Sequence, residues 1–180
     1  MQTLNSRIVY RNRWMSVRED QIRREDGSDG IYGVVDKLEA TIVIPVEDGR
    51  VHLVEQFKYP AGARYWEFPQ GAWEGKSDYT PEELARGELL EETGLVATQF
   101  IHLARVFVAY GVLSQPIRVW AATGLTQHQA QPEPEEQGIV HASFTWAEFH
   151  QMVSDGRIAD SMTLAAYALL RMQHPKLAGE

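Results

Sequence analysis

Residues 71–95 read GAWEGKSDYTPEELARGELLEETGL. The segment predicts a helix from about Pro81 to Glu92. Thr80 is a good N-cap, Pro81 suits the first helical position, and Glu83 completes a Thr-x-x-Glu capping box. Gly94 is placed to end the helix. Glu88, Glu91 and Glu92 stand at i, i+3 and i+4, so they share one helix face within an arc of about 100°. Three carboxylates on one face repel by a few tenths of a kcal/mol per pair. Arg86 is the only cation in the helix. A bound divalent cation would remove the repulsion, and oxygen-only ligands suit Mg²⁺ or Mn²⁺ better than zinc. The plainer alternative is a solvated acidic face, since Glu is a strong helix former. The turn Pro69-Gln70-Gly71 upstream would let backbone carbonyls approach the same ion.

Upstream, Arg7–Tyr10, Trp14–Arg23, Ile31–Leu38, Thr41–Val46 and Val51–Phe57 read as short strands with turn signals between them. TIVIPV-EDGR-VHLVEQF is a hairpin, and Tyr59–Arg64 a Pro- and Gly-containing loop. Downstream, Phe100–Ala109, Ile117–Thr123 and Ile139–Phe144 read as strands. Thr145-Trp-Ala-Glu148 is a second capping box, opening a helix to about Ser154, and a last helix spans about Ser161–Gln173. The expected class is α+β. Residues 1–38 form a small antiparallel lobe, and residues 39–180 a mixed sheet packed between helices.

The 180 residues suit one domain with a small accessory lobe, and 44% are apolar, enough for a core. The net charge of -8 disfavours a nucleic-acid partner held by charge. It leaves room for a small anionic substrate, because a bound metal reverses the local field. Zero cysteines exclude disulfides, thiol nucleophiles and Cys-based zinc sites. The opening MQTLNSRIVY has no apolar signal core, and no apolar run approaches the roughly 18 residues of a membrane span. A cytoplasmic protein that does not meet the membrane is expected. The six His show no H-x3-H or HExxH spacing, and there is no G-x-S-x-G, Walker or G-x-G-x-x-G motif.

The segment 71–95 resembles the Nudix box, G-x5-E-x7-R-E-U-x-E-E-x-G-U with U a bulky aliphatic residue. Gly71, Glu88, Leu89, Glu91, Glu92, Gly94 and Leu95 match. The resemblance implies a Nudix fold and hydrolysis of a diphosphate by water. Glu88 and Glu92 are implied as principal metal ligands, Glu91 as a further ligand or the base, and the Gln70 carbonyl as another ligand. The sequence departs from the box in three ways. Two extra residues follow Gly71, Tyr79 stands at the box glutamate, and Gly87 at the box arginine. In the family that glutamate and arginine form a structural brace, for which Asp78 and Arg86 are neighbouring substitutes. A mid-helix Gly also costs about 1 kcal/mol relative to Ala.

The run LVEQFKYPAGARYWEFPQG looks like the segment before the box in ADP-ribose and nucleoside diphosphate sugar pyrophosphatases. Enzymes of that branch typically carry an N-terminal lobe exchanged across a homodimer, so the resemblance implies a homodimer and a small nucleotide substrate. Lys58 stands where the branch commonly has Arg, and Gln70 where Ala is common. Phe68-Pro69-Gln70-Gly71 is closer to dinucleoside polyphosphate and RNA 5′-pyrophosphate hydrolases, an alternative specificity. A third reading is a catalytically weak nucleotide-binding module, favoured by Tyr79 and Gly87. The loop Gln131–Gln137 fits the position of a further glutamate, Glu136 first and Glu135 second, as base or ligand; otherwise it is a plain acidic loop. Trp14, Trp66 and Trp73 are candidate platforms for a base, with core packing the alternative for each. Glu67 flanks the cleft by sequence, and Lys58 or Arg64 could hold the diphosphate or be ordinary surface charges.

Overall fold

The computed structural model of the chain describes residues 1–73, 78–130 and 138–180. Strands β1 (Gln2–Arg11), β2 (Ser16–Arg23) and β3 (Asp29–Asp36) form a separate antiparallel sheet. This lobe leans on the loop at 109–114: Val35 N–H donates to Val112 O at 2.8 Å, and Tyr32 Oη to Gly111 O at 2.7 Å.

The main sheet contains β4 (Ala40–Glu47), β5 (Arg50–Lys58), β8 (Leu95–Phe107), β9 (Pro116–Gln127) and β10 (Val140–Thr145), in the order β10-β5-β4-β9-β8. β4 and β9 run parallel and the other neighbours antiparallel. The sheet is therefore mixed, as expected. Asp48 (φ 50°) and Gly49 (φ 72°) close the β4–β5 hairpin. Two successive positive φ values match the right-handed strand twist, and Asp-Gly tolerates them.

β4 and β5 pair only beside that turn, at Val46–Val51 and Glu47–Arg50, and then diverge. The segment after β5 enters the opening. Its first part, β6 (Ala63–Glu67), pairs with β5, and its second, β7 (Gln70–Gly71), pairs with β4 at Thr41 and Ile42. Pro69 O accepts from Val43 N–H at 2.9 Å. The loop expected over Tyr59–Arg64 is thus shorter: a single 3₁₀ turn at Tyr59–Ala61, after which the chain is extended. β8 likewise begins at Leu95, directly after the helix, five residues before the expected start.

Helices α1 (Pro81–Thr93), α2 (Trp146–Ser154) and α3 (Ser161–Gln173) cover the sheet. β4 alternates between two apolar layers. Ile42 and Ile44 join Leu53, Phe68, Phe149, Met152 and Leu170 beneath α2 and α3, while Val43 joins Ala85, Leu89 and Trp120 beneath α1. The α1 capping box forms as expected: Glu83 N–H donates to Thr80 Oγ1 at 3.2 Å and Thr80 N–H to Glu83 Oε2 at 2.6 Å. Gly94 ends the helix at φ 73°. Among the described residues no helix is long and apolar enough to cross a membrane.

Candidate active site

α1 turns its acidic face toward the β6–β7 crossing. Glu88 and Glu92 are 4% and 2% exposed, while Glu91 is half-buried. Gln70 N–H donates to Glu92 Oε2 at 3.1 Å. A β-carbon built on Gly71 would lie 2.3 Å from Glu88 Oε2 and 2.8 Å from Glu88 Cδ. Only glycine lets the β7 backbone lie this close to the carboxylate. The structure therefore brings Gln70, Gly71, Glu88 and Glu92 together.

Among the described residues no three His, Asp or Glu side chains close into a ready-made ion cage. The charged groups gathered here are carboxylates, Glu88 beside the bare Gly71 backbone and Glu92 beside the Gln70 amide. That chemistry fits a hard divalent ion that keeps several waters and takes further ligands from substrate phosphates.

Two of the departures from the Nudix box, Tyr79 and Gly87, share one explanation. A β-carbon on Gly87 would lie 1.9 Å from Trp73 Cζ2, so the indole is seated on the bare helix backbone. Tyr79 meets the same ring edge to face, with centroids 5.2 Å apart at 80°. Trp73 Nε1–H donates to Glu91 Oε2 at 3.2 Å. Arg86 does not take over the missing arginine's place. It pairs with Glu82 at 2.8 Å, donates to Ala97 O at 2.9 Å, and stacks on Phe100 at 4.4 Å.

A second polar cluster lies at the crossing. Glu67, 3% exposed, receives Lys58 Nζ at 2.5 Å, Gln56 Nε2 at 3.1 Å and Gln70 Nε2 at 3.2 Å. Burial pushes the Glu67 carboxyl above the usual carboxylate range, with Lys58 opposing. Gln70 Nε2 also donates to Asp160 Oδ2 at 3.0 Å, and the same oxygen caps α3 through Thr163 N–H at 2.7 Å. Thr163 Oγ1 in turn accepts from Phe68 N–H at 3.1 Å. Gln56, Asp160 and Thr163 were not singled out in the sequence. Asp160 before a helical run is legible as an N-cap, but its tie to Gln70 is not.

The remaining sequence candidates have partners of their own or lie outside the described residues. Lys58 is engaged by Glu67. Arg64 binds Glu55 Oε2 and Gly138 O, each at 2.8 Å, which anchors the chain just beyond residue 137. Trp14 is 46% exposed on the β1–β2 turn, with the Arg13 guanidinium 4.2 Å over its ring. Trp66 packs edge to face on Phe144 in the larger core layer. Glu135 and Glu136 lie outside the described residues. A cavity of about 350 Å³ opens at the N-terminal end of α1, lined in part by Tyr79, Pro81, Leu84, Glu39 and Arg118.

Comparison with known proteins agrees with this geometry. Residues 1–35 match the family model described as the nucleoside diphosphate sugar hydrolase N-terminal domain, and residues 36–166 match the NUDIX domain. An ADP-ribose pyrophosphatase of Mycobacterium tuberculosis is 29% identical over 167 residues, covering 91% of this chain and 80% of that protein. An ADP-ribose pyrophosphatase of Bacillus subtilis is 24% identical over 173 residues, covering 95% of this chain and 91% of that protein. The crystal structure of an ADP compounds hydrolase superposes with a TM-score of 0.83 at 18% identity, covering 97% of this chain and 94% of that one. With the NUDIX match spanning most of its length, Glu88 set against Gly71 and Glu92 against the Gln70 amide, the chain belongs to the Nudix family and is a pyrophosphohydrolase.

Proposed function

We propose that this enzyme hydrolyses the pyrophosphate bond of ADP-ribose or a related nucleoside diphosphate sugar, releasing a nucleoside monophosphate and a sugar phosphate. The observation that carries the reading is the pair Glu88 and Glu92, buried one turn apart against the Gly71 and Gln70 backbone. The two ADP-ribose pyrophosphatase relatives support the substrate class. The Gln70 amide, whose run Phe68-Pro69-Gln70-Gly71 carries the alternative polyphosphate specificity, bridges Glu67 and Asp160.

Glu88, Glu91 and Glu92 with the Gln70 main-chain carbonyl are the groups that would hold Mg²⁺ or Mn²⁺. Such an ion neutralises the diphosphate and acidifies bound water. Glu91, or a glutamate of the acidic loop (Glu136 first, Glu135 second), takes the proton of the attacking water. The water oxygen adds to one phosphorus, and the bridging P–O bond breaks toward the other phosphate.

The same reading makes the chain a cytoplasmic homodimer. Leu4, Ile8, Val9, Tyr10 and Ile31 expose apolar surface on the N-terminal sheet, which a second copy would cover. Trp14 on that lobe would then approach the partner's substrate.

The test is chromatographic product analysis with Mg²⁺ across ADP-ribose, nucleoside diphosphate sugars and diadenosine polyphosphates, with Glu92→Gln as control. Metal-dependent release of a nucleoside monophosphate from a sugar substrate, abolished in a folded Glu92→Gln, is expected. Cleavage of the polyphosphates alone would move the enzyme to the alternative specificity. Full activity in Glu92→Gln would sink the metal assignment.

A further inference from the structure

We propose that Trp73 is a positioning residue for Glu91, and that Trp73, Tyr79 and Gly87 form one aromatic brace along α1. The proposal rests on the functional reading above only in giving Glu91 a part in the chemistry.

The indole lies along the helix surface from Gly87 to Glu91, one turn and roughly 6 Å of rise. At its near end the ring occupies space that any side chain at 87 would need, since the nearest ring carbon would be 1.9 Å from a β-carbon. At its far end the indole N–H reaches Glu91 Oε2 at 3.2 Å. Tyr79, 5.2 Å away at 80°, closes the ring's side, an edge-to-face arrangement that adds attraction and limits tilt. The seat, the side wall and the donor act on one rigid group. Glu91 is half-buried on a helix whose other two box glutamates are enclosed, so it is the member whose rotamer most needs a fixed neighbour. A donor to a charged acceptor is the stronger class of hydrogen bond, and the indole can only donate.

The arrangement also accounts for the sequence as a set. Arginine at 87 is incompatible with the indole's seat, and glycine at 87 has no packing use without the indole. Tyr79 and Gly87 therefore go together with Trp73, and they mark a rebuilt support rather than lost catalysis.

Two measurements test this. The chain has five Trp, so the indole N–H signal missing from the ¹H–¹⁵N spectrum of Trp73→Phe belongs to Trp73. In Glu91→Ala that signal is expected to move upfield, whatever the enzyme's activity. In steady-state kinetics on ADP-ribose with Mg²⁺, Trp73→Phe is expected to lose about 10- to 100-fold in kcat, the usual effect of removing an outer support, with KM within about twofold. Gly87→Ala keeps the indole but lifts it off its seat. It should show the same loss, and the double variant should lose no more than the worse single variant. An unmoved indole signal, a wild-type kcat in Trp73→Phe, or a rise in KM at constant kcat would overturn the proposal; the last would make Trp73 a substrate platform. If the wild-type chain cleaves no ADP-ribose compound, the functional reading fails, and the indole signal alone decides for or against the brace.

Discussion

Gly71→Ala separates the site's geometry from the fold's stability. The added β-carbon would lie 2.3 Å from Glu88 Oε2, 2.8 Å from Cδ and 3.0 Å from Oε1. An unstrained carbon–oxygen contact needs about 3.3 Å, so the carboxylate must retreat by about 1 Å. The atoms in the way are the end of a flexible side chain, so the fold gives little resistance. The expected loss of stability is under about 1 kcal/mol, or a melting shift of at most about 2–4 °C for a chain of this size. The chemistry has no such latitude, because an error of about 1 Å in a positioned group costs on the order of 10²-fold. That corresponds to about 2.7 kcal/mol in the barrier. The assay is kcat on ADP-ribose with saturating Mg²⁺, beside a calorimetric melt. Gly111→Ala, where a β-carbon meets nothing within 4 Å, is the control. A Gly71→Ala enzyme with wild-type kcat and Mg²⁺ affinity would refute the reasoning, since Glu88 would then have moved without consequence.

Lys58→Met should leave Glu67 buried without its cation and cost about 1–3 kcal/mol, less than a fully buried pair because Lys58 is partly exposed. In urea unfolding, Lys58→Met with Glu67→Gln should recover most of that loss, and additive losses would contradict the pairing. His52 Nδ1 and His141 Nε2 lie 2.9 Å apart between β5 and β10. Burial, with His52 adding, holds His141 down to about 4 from 6.5, and burial also lowers His52. The unfolded chain therefore binds protons that the folded chain refuses as pH falls from about 6.5 toward 4, and stability should decline across that window. Urea midpoints of wild type and His141→Leu from pH 8 to 4 check this, because the variant should lose part of the decline. A wild-type midpoint flat over that range would rule it out.

Much of the site was legible because local physics fixes it. The α1 start follows from Thr80, Pro81 and Glu83, its end from Gly94, and the shared face of Glu88, Glu91 and Glu92 from the helical period. The Asp48-Gly49 hairpin and the Thr145–Glu148 capping box are equally local. The strand at Ala63–Glu67 was hidden behind Pro60 and Gly62, whose turn signals outweighed the aromatic run after them.

The sequence by itself determined the positions of the helices, the caps of α1 and α2, the acidic face of α1 and the succession of strands and helices that makes the class α+β, because each depends on residues within a few positions of one another. Tertiary structure alone decided what the cleft's polar groups are for. Gln70 meets Asp160 across 90 positions, Arg64 meets Gly138 across 74, and Trp73 meets Glu91 across 18. The parallel pairing of β4 with β9 belongs to the same class. Hydrophobic period tells which face of a strand is buried and is silent on its neighbour. Hydrogen-bond donors such as Lys58, Gln70 and Trp73 have too many acceptable acceptors in sequence for composition to choose. Close packing in the folded chain selects among them, Glu67 for Lys58, Glu67 and Asp160 for the Gln70 amide and Glu91 for the Trp73 indole, and it turns Tyr79 and Gly87 from apparent defects into the seat and wall of Trp73.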